Sequence, residues 1–112
     1  MAQRDQKSAG QLTKRAEFLK PFMEKDADGR VIQRYDLQFR SWAHVLPLRG
    51  GEQIMQARMA AKAPAIVTIR ATPEAREITS EWRLRIGGIE YDLKEHPRES
   101  QDRAFLEMLV EA

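Results

Sequence analysis

The chain has 112 residues, with 19 basic and 17 acidic side chains for a net charge of +2, and no cysteine. That length supports one domain with a single modest core; the absence of cysteine excludes disulfides and thiolate metal sites, and the balanced, interleaved charges do not mark a dedicated nucleic-acid-binding domain. No apolar run approaches the roughly 20 residues that span a bilayer, and the opening MAQRDQKSAG lacks the apolar core of a signal peptide.

Residues 1–11 are small and polar without a period, and are expected to form a flexible arm ahead of one domain over 12–112. From Leu12 to Met23 the apolar spacing fits helix or strand; Pro21 disfavours a helix interior, so an edge strand is expected around Arg15 to Lys20. Asp26-Ala27-Asp28-Gly29 is a turn signal. It does not fit a calcium loop, because its Gly is the fourth residue rather than the sixth, and Leu37 stands where a bidentate Glu is needed. Asp36 to Leu48 alternates in two phases, which predicts a long bent strand with a bulge near Ser41. In that strand Trp42 reads as a core or interface anchor rather than a ligand-stacking residue. Pro47 should end regular pairing.

Arg49-Gly50-Gly51 breaks the strand, and Glu52 to Lys62 is rich in helix formers. Ile54, Met55, Arg58, Met59 and Lys62 fall on one side of a helix of about three turns, with Pro64 ending it at or before Ala63. Such a helix is marginal alone. Its methionines suit either an adaptable binding surface or packing on its own domain. Ala65 to Thr72 reads as a strand, and Pro73 to Ser80 as a polar connection with room for one helical turn.

Glu81 to Lys94, EWRLRIGGIEYDLK, carries the strongest local signal. A Gly87-Gly88 loop permits the positive φ angles of a type I′ hairpin turn. Ile86 then faces Ile89, Leu84 faces Tyr91 and Trp82 faces Leu93, all on one apolar face. The opposite face pairs Arg85 with Glu90, Arg83 with Asp92 and Glu81 with Lys94. Shifting the register by one residue would send these charges inward, so pattern and turn specify the same hairpin. Burial of each apolar side chain is worth about 1.5–3 kcal/mol against about 0.2–1 for a cross-strand pair, so the apolar face dominates. After the His96 to Ser100 loop, Arg103 to Glu111 fits helix or strand; strand is preferred because an antiparallel barrel needs a closing partner. The expected fold is mainly β: a small antiparallel β-barrel of five to six strands with one short α-helix inserted between long strands.

Signals for catalysis are sparse. His44 and His96 have no Cys partner or second His at metal-ligand spacing. Neither Gly-Gly pair opens a phosphate-binding loop. No catalytic, cofactor or metal residue is expected, and the chain does not read as an enzyme. A small barrel that binds nucleic-acid strands is a second possibility, using Phe39, Arg40, Trp42, Arg83 and Arg85.

The order of motifs resembles the phage head–tail joining proteins, a family of head-closure adaptors also found in prophages and gene transfer agents. The resemblance runs from Leu12, Arg15 and Asp26 to Gly29, through Trp42 and Pro47-Leu48-Arg49-Gly50-Gly51-Glu52, to Val67-Thr68-Ile69-Arg70, Tyr91-Asp92-Leu93 and Arg103 to Glu111. It implies a virion protein assembled in a bacterial host, without catalysis or cofactor. Copies would form a ring between a portal-proximal adaptor and a tail completion or terminator protein, around the double-stranded DNA channel. Arg49, Glu52, Gln53, Ile54, Met55, Arg58, Met59 and Lys62 would supply partner or lumen contacts. Trp42, Trp82, Leu84, Ile86, Gly87, Gly88, Ile89, Tyr91 and Leu93 would form the structural core and turn.

Overall fold

The computed structural model describes residues 9–48 and 64–112. Seven strands occur within them: β1 (Lys14–Lys25), β2 (Val31–Pro47), β3 (Pro64–Arg70), β4 (Arg83–Ile86), β5 (Ile89–Leu93), β6 (Arg98–Glu99) and β7 (Phe105–Glu111). All pairings are antiparallel, in the order β3-β2-β1-β4-β5-β7-β6, and a β3–β7 pairing closes the sheet on itself. The count exceeds the five to six strands expected; β6 is only two residues long, too short for a period-2 pattern to reveal. The helix expected over Glu52 to Lys62 lies outside the described residues. Among those described, the helical elements are 3-10 turns at Ala9–Gln11 and Ala75–Glu77. The second falls where the sequence left room for one.

Local chemistry fixes the two tightest connections. The Asp26 carboxylate accepts the backbone N–H groups of Asp28 and Arg30, both at 2.9 Å, and Gly29 takes φ +82°. Gly87 and Gly88 take φ +59° and +82°, so both centre positions of the second hairpin are left-handed. Its register is Ile86 to Ile89, Leu84 to Tyr91 and Arg83 to Asp92. The core within the closed sheet is built from Ala16, Phe18, Val67, Ile69, Leu84 and Met108, sealed by Trp82, Leu93, Leu106 and Val110. Phe18 stacks on Phe39 with ring centroids 5.0 Å apart.

Four expectations need correction. First, Arg15 to Lys20 is not an edge strand: β1 lies between β2 and β4 over Ala16–Leu19. Pro21 is tolerated because it lies just past the β4 pairing, where the strand has lost its second neighbour. Second, the β2 bulge is at Gln38, not Ser41. Phe18 pairs with Phe39 and Leu19 with Leu37, leaving Gln38 as the extra residue. Third, Trp42 is 52% exposed and is not a core residue. With Ala43 buried inside, Trp42 is directed to the outer face. Fourth, Ile89 is 50% exposed and Tyr91 only half-buried, because β7 reaches β5 only at Asp92 and Leu93 and leaves the other end as a free edge.

Candidate interaction surfaces

β1 and β2 are much longer than their neighbours. β4 pairs with β1 only to Leu19, and β3 pairs with β2 only from Ala43. From Lys20 to Lys25 and from Val31 to Asp36 the two strands pair with each other alone, forming an arm that stands off the closed sheet. Six residue pairs at about 3.3 Å each give it a reach of roughly 20 Å.

The two faces of the arm differ. On one, Arg34 bridges Glu24 and Asp36, and Lys20 and Arg34 lie over the Phe22 ring at 5.4 and 5.9 Å. The other carries Leu37, Pro21, Tyr35, Met23 and Val31, which the cross-strand register places together. Tyr35 is held under the Arg83 guanidinium, 4.3 Å from its ring centroid. Met23 is 67% and Val31 59% exposed, and Leu37 is also exposed. The arm thus concentrates large exposed apolar side chains on a ribbon with little support of its own.

A second surface lies at the base of the same ribbon. Arg15 pairs with Trp42 across β1 and β2, and its guanidinium sits 5.0 Å from the indole centroid. Leu12, Arg40, Ser41, Trp42 and Arg70 line a shallow depression there. Beside it, Glu17 accepts from Arg40 at 3.0 Å and from Arg85 at 3.1 Å. The Arg40 hydrogen bond is the main cause that holds the Glu17 carboxyl below its ordinary value, against an opposing effect of burial and with help from Arg85. Arg85 also reaches Glu90 at 3.1 Å, and Arg83 reaches Asp92 at 2.9 Å, the two hairpin pairs expected. Glu81 and Lys94 do not pair across the hairpin. β4 begins at Arg83 and β5 ends at Leu93, and Lys94 turns to Glu111 at 3.4 Å.

The other expected site residues separate by location. Trp82, Leu84, Ile86 and Leu93 are in the core. Arg49, Glu52, Gln53, Ile54, Met55, Arg58, Met59 and Lys62 lie outside the described residues. Of the residues considered for strand binding, Phe39 packs against the core, Arg83 and Arg85 are engaged by acids, and Arg40 and Trp42 line the depression. His96 accepts the Ser80 backbone N–H at Nδ1, 3.2 Å away, and His44 faces Thr68 across β2 and β3. Among the described residues no group of three His, Cys, Asp or Glu side chains is arranged to hold a metal ion, and no helix is long and apolar enough to cross a membrane. Sequence reading missed Met23 and Val31. Their signal is alternation on a hairpin, which looks the same whether or not a sheet covers it.

A family model described as phage head completion protein matches residues 7–112. The chain belongs to that family. As a head completion protein it has a structural role in a phage-type head, and it is a component of the virion. No curated relative matches it. Among solved structures, this head completion protein is similar to protein SF1141 from Shigella flexneri 2a, with TM-score 0.72, 19% identity, and 94% of this chain and 96% of that one covered. It is also similar to a chain in the virion of a native gene transfer agent particle, with TM-score 0.61, 19% identity, and coverage of 87% and 90%. At such identities these two likenesses speak to the fold.

Proposed function

We propose that copies of this head completion protein form a ring at the head–tail junction, joining a portal-proximal adaptor to a tail completion or terminator protein and retaining the packaged double-stranded DNA. The observation that carries this is the combination, in a head completion protein, of a closed sheet with a two-stranded arm that exposes an apolar face. The closed sheet serves as a small barrel scaffold, and the arm presents surface that other subunits can cover. Arg49, Glu52, Gln53, Ile54, Met55, Arg58, Met59 and Lys62 are proposed as further partner or lumen contacts. Catalysis has no part in this role.

The test is complementation of particles. DNA-filled, tailless heads lacking this chain are mixed with the purified protein, and bound protein and retained DNA are scored. Binding at the portal vertex with better DNA retention is the expected result. Failure to bind, with salt-sensitive capture of free nucleic acid, would overturn it in favour of a strand-binding module using the Arg15, Arg40, Trp42 and Arg70 surface.

A further inference from the structure

We infer that the tip of one copy's β1–β2 arm seats in the Trp42 depression of the next copy, making this the contact that links subunits head to tail. The inference rests on the ring proposed above and names the surfaces that build it.

The two surfaces are complementary in chemistry. The depression offers an exposed indole with Arg15 stacked on it and Arg70 at its margin. Neither Arg15 nor Arg70 is in an ion pair with an acid among the described residues, whereas nearby Glu17 is already held by Arg40 and Arg85. Exposed Trp and Arg side chains around a pocket are the composition of interface hot spots. The arm tip offers what such a site takes: a carboxylate at its apex and apolar side chains beside it. Asp26 is occupied by the turn's own N–H groups, whereas the exposed Asp28 carboxylate is in no ion pair among the described residues. Lys25 ends β1 and Arg30 immediately precedes β2, so a cation flanks the turn on each side, and Met23 and Val31 share the apolar face that leads up to it.

The contact has to be made between copies. Arg15 and Trp42 are paired at the base of the ribbon, and Lys25 and Val31 at its tip. The ten residues between Arg15 and Lys25 span about 33 Å of paired strand. A continuous two-stranded ribbon cannot bend back over that distance to bring its tip to its own base. A tip on one copy and a depression on another form a heterologous contact, which propagates and yields a ring when the rotation closes. A tip in a shallow depression is a small contact. Its strength in a ring comes from closure, because every copy is held at both ends.

The cysteine-free chain suits a cross-linking test. Asp28→Cys and Arg70→Cys are introduced singly and together, assembled into particles lacking the natural chain, and treated with a short bis-maleimide. Both side chains are exposed, so the fold is retained, which a melting curve verifies. The double variant is expected to give a ladder of products longer than a dimer, and the single variants no product longer than a dimer. As a second arm, Arg70→Glu is expected to lower the yield of tailed, DNA-filled particles by about tenfold, and added Asp28→Arg to restore it. The double cysteine variant entering particles in several copies without a ladder would overturn the tip-to-depression contact and leave the ring intact. Cross-linking of Asp28→Cys to a different virion protein would likewise overturn it. Absence of the wild-type chain from the portal vertex would overturn the ring itself.

Discussion

Glu17 shows how much one exposed side chain depends on long-range register. It stands on the outer face of β1, a strand flanked by β2 and β4, and so receives Arg40 from one neighbour and Arg85 from the other. Its carboxyl titrates below 4.5, chiefly through the Arg40 hydrogen bond. A depressed folded value means that the charged form stabilises the fold above pH 4.5, and that this contribution is lost as the pH falls through the folded value. Glu17→Gln should therefore lower the urea midpoint at neutral pH, with the gap to wild type closing below pH 4.5. Two parallel midpoint-against-pH curves would show that the Glu17 pairs contribute nothing. Sequence alone exposed the Arg85–Glu90 and Arg83–Asp92 pairs, because two glycines fix the register between adjacent strands. It could not expose Glu17–Arg40 or Glu17–Arg85, whose partners lie 23 and 68 residues away. Trp42 lies on the outer face, not in the expected core, for a related reason. Alternation tells which residues share a face, and only the neighbouring strands tell which face is inside.

At the scale of the element, the β1–β2 hairpin is two structures in one. Its base is built into the closed sheet, where Ala16, Phe18 and Ala43 are buried. Its distal part is a ribbon with no third strand. The bulge at Gln38 lies between the two parts and changes the phase of β2, so Phe39 faces the core while Leu37 faces outward. Period-2 alternation revealed that β2 changes phase but not which residue is left unpaired. Since a two-stranded ribbon is marginal in water, the arm should contribute little to folding. Replacing residues 22–34 with Asn-Gly joins Pro21 to Tyr35, which are already paired, through a two-residue turn. The shortened chain should melt cooperatively, with stability changed by about 1 kcal/mol or less, but should no longer incorporate into particles. Loss of the cooperative melt would mean that the arm belongs to the folding unit.

For the whole molecule, closure of the sheet depends on β7. It pairs with β3 along one edge and with β5 and β6 along the other, so three strands lose a neighbour without it. Phe105, Leu106, Met108 and Val110 are all buried. At about 1.5–3 kcal/mol for each buried side chain, they contribute roughly 6–12 kcal/mol, comparable with the about 5–15 kcal/mol that holds a typical domain together. The requirement for such a closing strand is legible in the sequence. A row of apolar residues at Leu106, Met108 and Val110 suits either helix or strand, and the need of an antiparallel barrel for a closing partner decides between them. The consequence can be measured directly. A chain ending at Ala104 should show no cooperative melt by circular dichroism, whereas Leu106→Ala should stay folded and lose about 2–5 kcal/mol in urea. A sigmoidal melt from the truncated chain would mean that the remaining strands hold a core without closure. In that case the β3–β7 pairing would be an accessory of the fold, and the subunit rigidity on which an intersubunit contact depends would have to come from the open sheet β3-β2-β1-β4-β5.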